Sequence, residues 1–322
     1  MEAVPPRERR GNQEMAAIET GGFQPRTLDK VERLLDLLDE MQRHPDLKGR
    51  LAMHGGTAIN LFMLDIPRLS VDIDISYVGA LPRDEMLRER PFIERAIEEV
   101  GRGQGYDVSA GDGGHAGRTF VLRYRGDWGT DHVKIDCIYM NRSPLFPIRS
   151  RSCPLRPDVG VPMFEDAELA GGKVKAFFDR VKIRDLYDIS NLKAHFDATG
   201  DPDGIVHKAL LYYASVSACF PNEFEGRSKR FEDRQKDLED QLLPMLHSRD
   251  EEPTLAGLMD NAEGFTSAYI LPRDDDERLY LELFAKGEYR PELLFGECDI
   301  ARAAAASPEA QWKLANLKKM KR

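Results

Sequence analysis

The sequence predicts an α/β domain built on a mixed sheet, followed by an all-helical C-terminal region. Three observations carry this expectation. Short runs of alternating apolar and polar residues at 68–78, 118–125 and 132–140 read as strands. A charged amphipathic stretch over 83–100 separates the first of them from the other two, and beyond the proline-rich segment that ends at Pro162 nearly every run has helical spacing.

Residues 1–26 are rich in Gly, Pro and charge without periodicity and read as a flexible tail. Thr27 is the expected N-cap of a first helix, with Leu28, Val31, Leu34, Leu35, Leu38 and Met41 on one face and His44-Pro45 as its end. Leu51-Ala52-Met53 leads into His54-Gly55-Gly56-Thr57, after which residues 58–64 have helix-like composition. Five prolines between Pro144 and Pro162 predict an irregular connector in which strands do not continue. Helical patterns then fall at 165–180, 184–197, 203–219, 228–246 and 276–287, before a basic end. The expected division is a tail (1–26), an α/β domain (27–145) and a helical domain (146–322).

At 322 residues, 41% hydrophobic and 32% charged, the chain suits about two globular cores and argues against wholesale disorder. No apolar run approaches the roughly 20 residues of a membrane span, and the first residues lack the apolar core of a secretory signal. A cytoplasmic protein without membrane association is expected. Cys137, Cys153, Cys219 and Cys298 are scattered, which disfavours a zinc site or a disulfide framework. A formal charge of −10 argues against nonspecific coating of nucleic acid. Local basic stretches remain, at Arg118, Arg123, Arg125, Lys134, Arg142, Arg149 and Arg151 and again at Lys313, Lys318, Lys319, Lys321 and Arg322. They could follow an RNA backbone or be ordinary solvated surface.

In Val71-Asp72-Ile73-Asp74-Ile75 strand alternation puts both aspartates on one face, about 6.5–7 Å apart. Such carboxylates repel unless a cation lies between them, and oxygen-only ligands favour Mg2+ or Mn2+; a solvated edge-strand face would give the same pattern. In Val133-Lys134-Ile135-Asp136, Lys134 and Asp136 share the polar face. If the two strands are neighbours, Asp136 joins Asp72 and Asp74 as a third carboxylate, a set suited to metal-assisted phosphoryl or nucleotidyl transfer. The Gly55-Gly56-Thr57 turn before a helix lets backbone approach a phosphate closely. There is no P-loop motif. On the helix over 165–180, Lys173 falls within the apolar stripe of Leu169, Ala170, Ala176 and Phe177, where it must snorkel, pair or meet an anion. Asp185 falls in the stripe of the next helix with Asp188 on its flank, so an interhelix Lys173–Asp185 salt bridge is the competing reading. His54 and His115 read as structural.

HGGT, RLSVDIDI and VKID, taken in order, resemble the signature of the nucleotidyltransferase superfamily. Within it the chain resembles the AbiEii toxins of type IV toxin–antitoxin systems, including the MenT-type tRNA nucleotidyltransferases. ELAGGKVKAFFDRVKIRDLYDI (168–189) and QWKLANL (311–317) extend the likeness, which runs from about residue 50 to the C-terminus. The resemblance implies a nucleotidyltransferase-like domain that uses an NTP and Mg2+ (or Mn2+). Asp72, Asp74 and Asp136 would bind metal, and Gly55, Gly56, Thr57 and Lys173 would hold the triphosphate. Asp185 would position nucleotide or acceptor, and Arg68 and Ser70 would be nucleotide-side neighbours, though Arg68 equally reads as an ordinary surface residue. It implies the 3′ end of tRNA as acceptor and a cognate AbiEi-type antitoxin as partner. Transfer to a small molecule or protein, or a silent binding protein of the same fold, are the alternatives.

Overall fold

The computed structural model describes residues 22–79, 82–114 and 116–320. Most of the expected tail, and His115, lie outside the described residues. Residues 22–26 do not extend as a tail: Phe23 is buried with its ring edge-on to His247, and the first helix, α1 (Pro25–Arg43), opens on a proline rather than being capped at Thr27. Proline at N1 lacks only an N–H that the helix start leaves unused. Leu34, Leu35, Leu37 and Leu38 of α1 are buried.

Seven strands follow among the described residues: β1 (Leu51–His54), β2 (Asp72–Tyr77), β3 (Asp107–Ala110), β4 (Gly117–Gly126), β5 (Gly129–Ile138), β6 (Arg149–Cys153) and β7 (Arg156–Met163). They form one mixed sheet in the order β3-β4-β5-β2-β1-β7-β6. β2 runs parallel to β5 and antiparallel to β1, and β1 meets β7 in parallel. The short helix α2 (Gly55–Ala58) passes directly into a π-helical turn at Ile59–Met63, and α3 (Arg83–Gly103) links β2 to β3. The apolar side chains that alternate along β2, β4 and β5 (Ile73, Ile75, Phe120, Leu122, Val133, Ile135) are buried, and α1 and α3 pack on the sheet.

The expected connector at 144–162 is overturned, because β6 and β7 lie within it and complete the sheet. β6 is an edge strand and β7 is registered to β1 only at Met163, so the prolines of β7 remove few ladder hydrogen bonds.

Beyond β7 the described chain is helical: α4 (Asp166–Asp179), α5 (Ile183–Thr199), α6 (Ile205–Ser215), the one-turn α7 (Gln235–Asp237), α8 (Leu255–Tyr269), α9 (Asp275–Lys286), α10 (Glu292–Phe295), α11 (Asp299–Ala306) and α12 (Pro308–Met320). The expected helix at 228–246 is a run of short 3-10, α and π pieces broken at Pro244. The sequence pattern passed over α8, although Thr254 caps it by accepting from the Gly257 N–H at 3.1 Å. No described helix is long and apolar enough to cross a membrane.

Candidate active site

β1 ends against the chain reversal at Gly55, whose φ of +77° is readily adopted by glycine. A Cβ there would stand 2.2 Å from Asp74 Oδ2, so the missing side chain is what lets the carboxylate lie against the turn. Gly56 is tight as well, its Cβ position being 3.1 Å from an Arg68 guanidinium nitrogen. Thr57 is fully buried: its hydroxyl donates to the Asp72 carbonyl at 2.5 Å and lies 2.9 Å from the Ser70 hydroxyl. Thr57 and Ser70 therefore stitch the glycine turn to the start of β2, and neither hydroxyl is turned outward.

The parallel register of β2 and β5 pairs Asp72 with Lys134 and Asp74 with Asp136. Paired residues on adjacent strands share a face about 4.8 Å apart, so all three aspartates stand together, opposite the buried isoleucines. Burial above all, and then the charges of Asp136 and Asp72, hold the Asp74 carboxyl above its ordinary value, against the opposing pull of His54 and Lys173. His54, across the strand pair from Asp74, is half-buried and stacked on the Phe164 ring, and desolvation there lowers its pKa.

The Asp136 carboxylate is engaged by the Lys134 ammonium and by the Thr119 hydroxyl, the latter at 2.5 Å. With Asp136 drawn this way, no three acidic, imidazole or thiol groups among the described residues are gathered tightly enough to hold a metal ion as they stand. The donor chemistry nonetheless fits a hard divalent cation: three carboxylates on one strand face, with the pKa of Asp74 raised by burial and by the charges of Asp136 and Asp72.

Behind the turn lies a buried chain of charges. Lys173, on α4, is 6% exposed and places its Nζ 2.8 Å from Asp185 and 2.8 Å from Asp188, both on α5. Asp188 is fully buried and grips Arg68 through two hydrogen bonds of 2.8 Å, while Asn60 reaches it at 3.1 Å. Asp185 also accepts from Arg180 at 2.7 Å. The interhelix Lys173–Asp185 bridge is thus present, and Arg68, 2% exposed, is an interior residue rather than a surface one. Burial would raise the Asp188 pKa, but Arg68 and Lys173 hold it far below the usual carboxylate range. Three cations against two carboxylates leave this chain one positive charge in excess, and Lys173 and Arg180 both feel the charge of Asp74.

Sequence reasoning assigned no role to two members of this arrangement. Asp188 was legible in the i, i+3 spacing of Arg184-Asp185-Leu186-Tyr187-Asp188, which puts both acids on one side of α5. Arg180 had no sequence signal; only the bend between α4 and α5 brings it to Asp185.

A glycine turn, a shared face of strand carboxylates and a surplus of cations behind them can hold a nucleoside triphosphate at a cation site. The family model described as nucleotidyl transferase AbiEii toxin of type IV toxin–antitoxin systems matches residues 36–268. The class of protein is therefore a nucleotidyltransferase. More narrowly, the chain belongs to the AbiEii toxin family, whose type IV systems pair a toxin with an antitoxin. Nothing among curated proteins matches the sequence. Similar solved structures include MenT4, a nucleotidyltransferase toxin from Mycobacterium tuberculosis, at 15% identity and a TM-score of 0.49 over 90% of this chain and 93% of that one. JHP933 from Helicobacter pylori is similar at 14% identity and a TM-score of 0.41, over 93% and 96% of the two chains.

Proposed function

We propose that the protein transfers a nucleoside monophosphate from an NTP to the 3′ acceptor end of tRNA in the cytoplasm, blocking translation, and that a separately encoded AbiEi-type antitoxin restrains it. The observation that supports this reading best is the register pairing of Asp74 with Asp136 beside the Gly55 turn. Asp72, Asp74 and Asp136 would hold Mg2+ (or Mn2+), which supplies charge neutralisation at the triphosphate and acidifies the acceptor hydroxyl. The backbone of Gly55 and Gly56 lets the phosphates approach, and the surplus positive charge around Lys173 and Arg180 faces the departing pyrophosphate. The acceptor oxygen forms the new bond to the α-phosphorus as the bond to the β-phosphate oxygen breaks; Asp136 receives the hydroxyl proton. Asp185 and Asp188 hold Lys173 and, through Arg68, the turn itself. In this reading residues 27–145, with the two strands that complete the sheet, carry the chemistry, and the helical region contributes Lys173 and Arg180.

The test is to incubate the protein with tRNA, Mg2+ and each labelled NTP, with lysate protein and small hydroxylated molecules as parallel acceptors. Label on the tRNA 3′ end that disappears with Asp74→Asn is the expected result. Transfer that survives this substitution, or that goes only to the other acceptors, overturns the reading.

A further inference from the structure

The face of the sheet that carries the three aspartates does not end with them. Antiparallel register continues it along β5 and β4, pairing Asp136 with Thr119, Lys134 with Val121, His132 with Arg123 and Thr130 with Arg125. The opposite face of the same two strands holds the buried Phe120, Leu122, Val133 and Ile135. On the aspartate side Thr119, Val121 and Lys134 are half-buried, while Arg123, Arg125, Thr130 and His132 are exposed. An open strip about 20 Å long thus leads from Asp136 to the tip of the β4–β5 hairpin, at about 3.3 Å per residue.

The charge of this strip differs from that of the other basic residues in the region. Arg118 points to the other face and is paired with Glu94, and Arg149 and Arg151 are paired with Glu165. Arg123 donates to the neutral Ser109 hydroxyl at 2.8 Å. Among the described residues neither Arg123 nor Arg125 has a carboxylate partner in an ion pair, and the one acid registered beside Arg123 is the exposed Asp107 on β3. At the hairpin tip stands Trp128, 55% exposed. Guanidinium groups without carboxylate ion-pair partners, on a hairpin whose tip carries a solvent-facing indole, match the phosphates and bases of a single nucleic-acid strand.

We infer that this strip is the docking track of the RNA acceptor strand, with phosphates on Arg123 and Arg125, a base on Trp128 and the 3′ end directed to Asp136. The inference rests on the acceptor reading above and deepens it. At about 3.4 Å of stacked rise per nucleotide the strip covers about six nucleotides.

The probe is a fluorescently labelled ten-nucleotide single-stranded RNA bearing the tRNA acceptor sequence, followed by anisotropy across a salt series. Arg123→Ala combined with Arg125→Ala should weaken binding about tenfold or more. It should also lower the slope of log affinity against log salt by about 1.4, at about 0.7 per lost phosphate contact on a single strand. The protein has two tryptophans, so in a Trp312→Phe background the RNA should quench Trp128 emission. NTP binding by calorimetry, unchanged in all variants, shows that the fold and the nucleotide site persist. Unchanged RNA affinity and salt slope in the double variant overturn the track. If the wild type transfers label to tRNA and the double variant does so with the same KM, the track fails while the acceptor reading stands. If the wild type neither binds the RNA nor labels tRNA, the acceptor reading fails and takes the track with it.

Discussion

Asp188 has no exposed surface and neutralises two buried cations at once, Arg68 and Lys173. Asp188→Asn keeps the shape and removes the charge, leaving both cations short of a partner; the expected cost is about 3–5 kcal/mol by urea unfolding at pH 7. The sign of the pH dependence follows from the lowered pKa. Native Asp188 stays ionised below the ordinary value of 3.8, so its stabilisation is complete above that pH and is lost as pH falls toward the folded value. The stability gap between wild type and Asp188→Asn should therefore narrow below about pH 4. Gly55 makes a different demand. Gly55→Ala would put a methyl 2.2 Å from Asp74 Oδ2 at a φ of +77°, so the carboxylate must move. A displacement of about 1 Å at a reacting centre costs on the order of a hundredfold in rate, while the backbone strain costs only about 1–2 kcal/mol. Nucleotidyl transfer should thus collapse in Gly55→Ala while the melting temperature falls by a few degrees. The three aspartates were legible because strand alternation is a property of sequence alone. Asp188 was only half legible, since its partner Arg68 lies 120 residues away.

At the scale of elements, local chemistry was read well where one face is buried and poorly where tertiary pairing overrides composition. Strands β2, β4 and β5 alternate cleanly and were found; β3 is four residues long with an exposed–intermediate pattern, too short for periodicity to register. β6 and β7 were hidden by the prolines around and within them, which β7 tolerates because it is registered to β1 only at Met163. The same region shows how the sheet is fastened to the helices. Glu168, in the first turn of α4, accepts from the Leu145 and Phe146 N–H groups at 2.8 and 3.3 Å and from the Tyr213 hydroxyl at 2.7 Å. Burial pushes its pKa up to about 7, from an ordinary value of 4.5, despite these donors. Native Glu168 therefore binds a proton that the unfolded chain has already lost between those two values. Stability must fall as pH rises through that window, by roughly 2–4 kcal/mol at about 1.4 kcal/mol per unit. Unfolding free energies of wild type at pH 5, 6, 7 and 8 should show this decline, and Glu168→Gln should flatten it.

For the whole molecule, the sequence suggested two cores, whereas the buried apolar residues form one continuous cluster from Phe23 to Leu317. Pattern reading cannot see this, because continuity depends on which helix faces meet. The family match ends at residue 268, yet the helices beyond it contribute Tyr280, Phe284 and Leu294 to the same core, each fully buried. They are also tied in by polar contacts. His207 on α6 lies between the Tyr269 carbonyl at 3.0 Å and Glu277 of α9 at 2.9 Å, and Lys313 of α12 caps the Ser217 and Phe220 carbonyls at 2.6 Å. Removing residues 271–322 would uncover Tyr212, Phe220 and the rest of the surface these rings cover, deprive His207 of Glu277 and leave the Ser217 and Phe220 carbonyls without Lys313. Two buried aromatic side chains alone are worth about 3–6 kcal/mol of apolar burial, comparable to the whole stability of many domains. The truncated chain should therefore keep helical far-UV circular dichroism but lose near-UV signal, bind a hydrophobic dye and melt without a cooperative transition. A sharp melt with native near-UV signal would instead mean that the catalytic region and its first helices form a self-sufficient core, and that the last four helices are an appended layer.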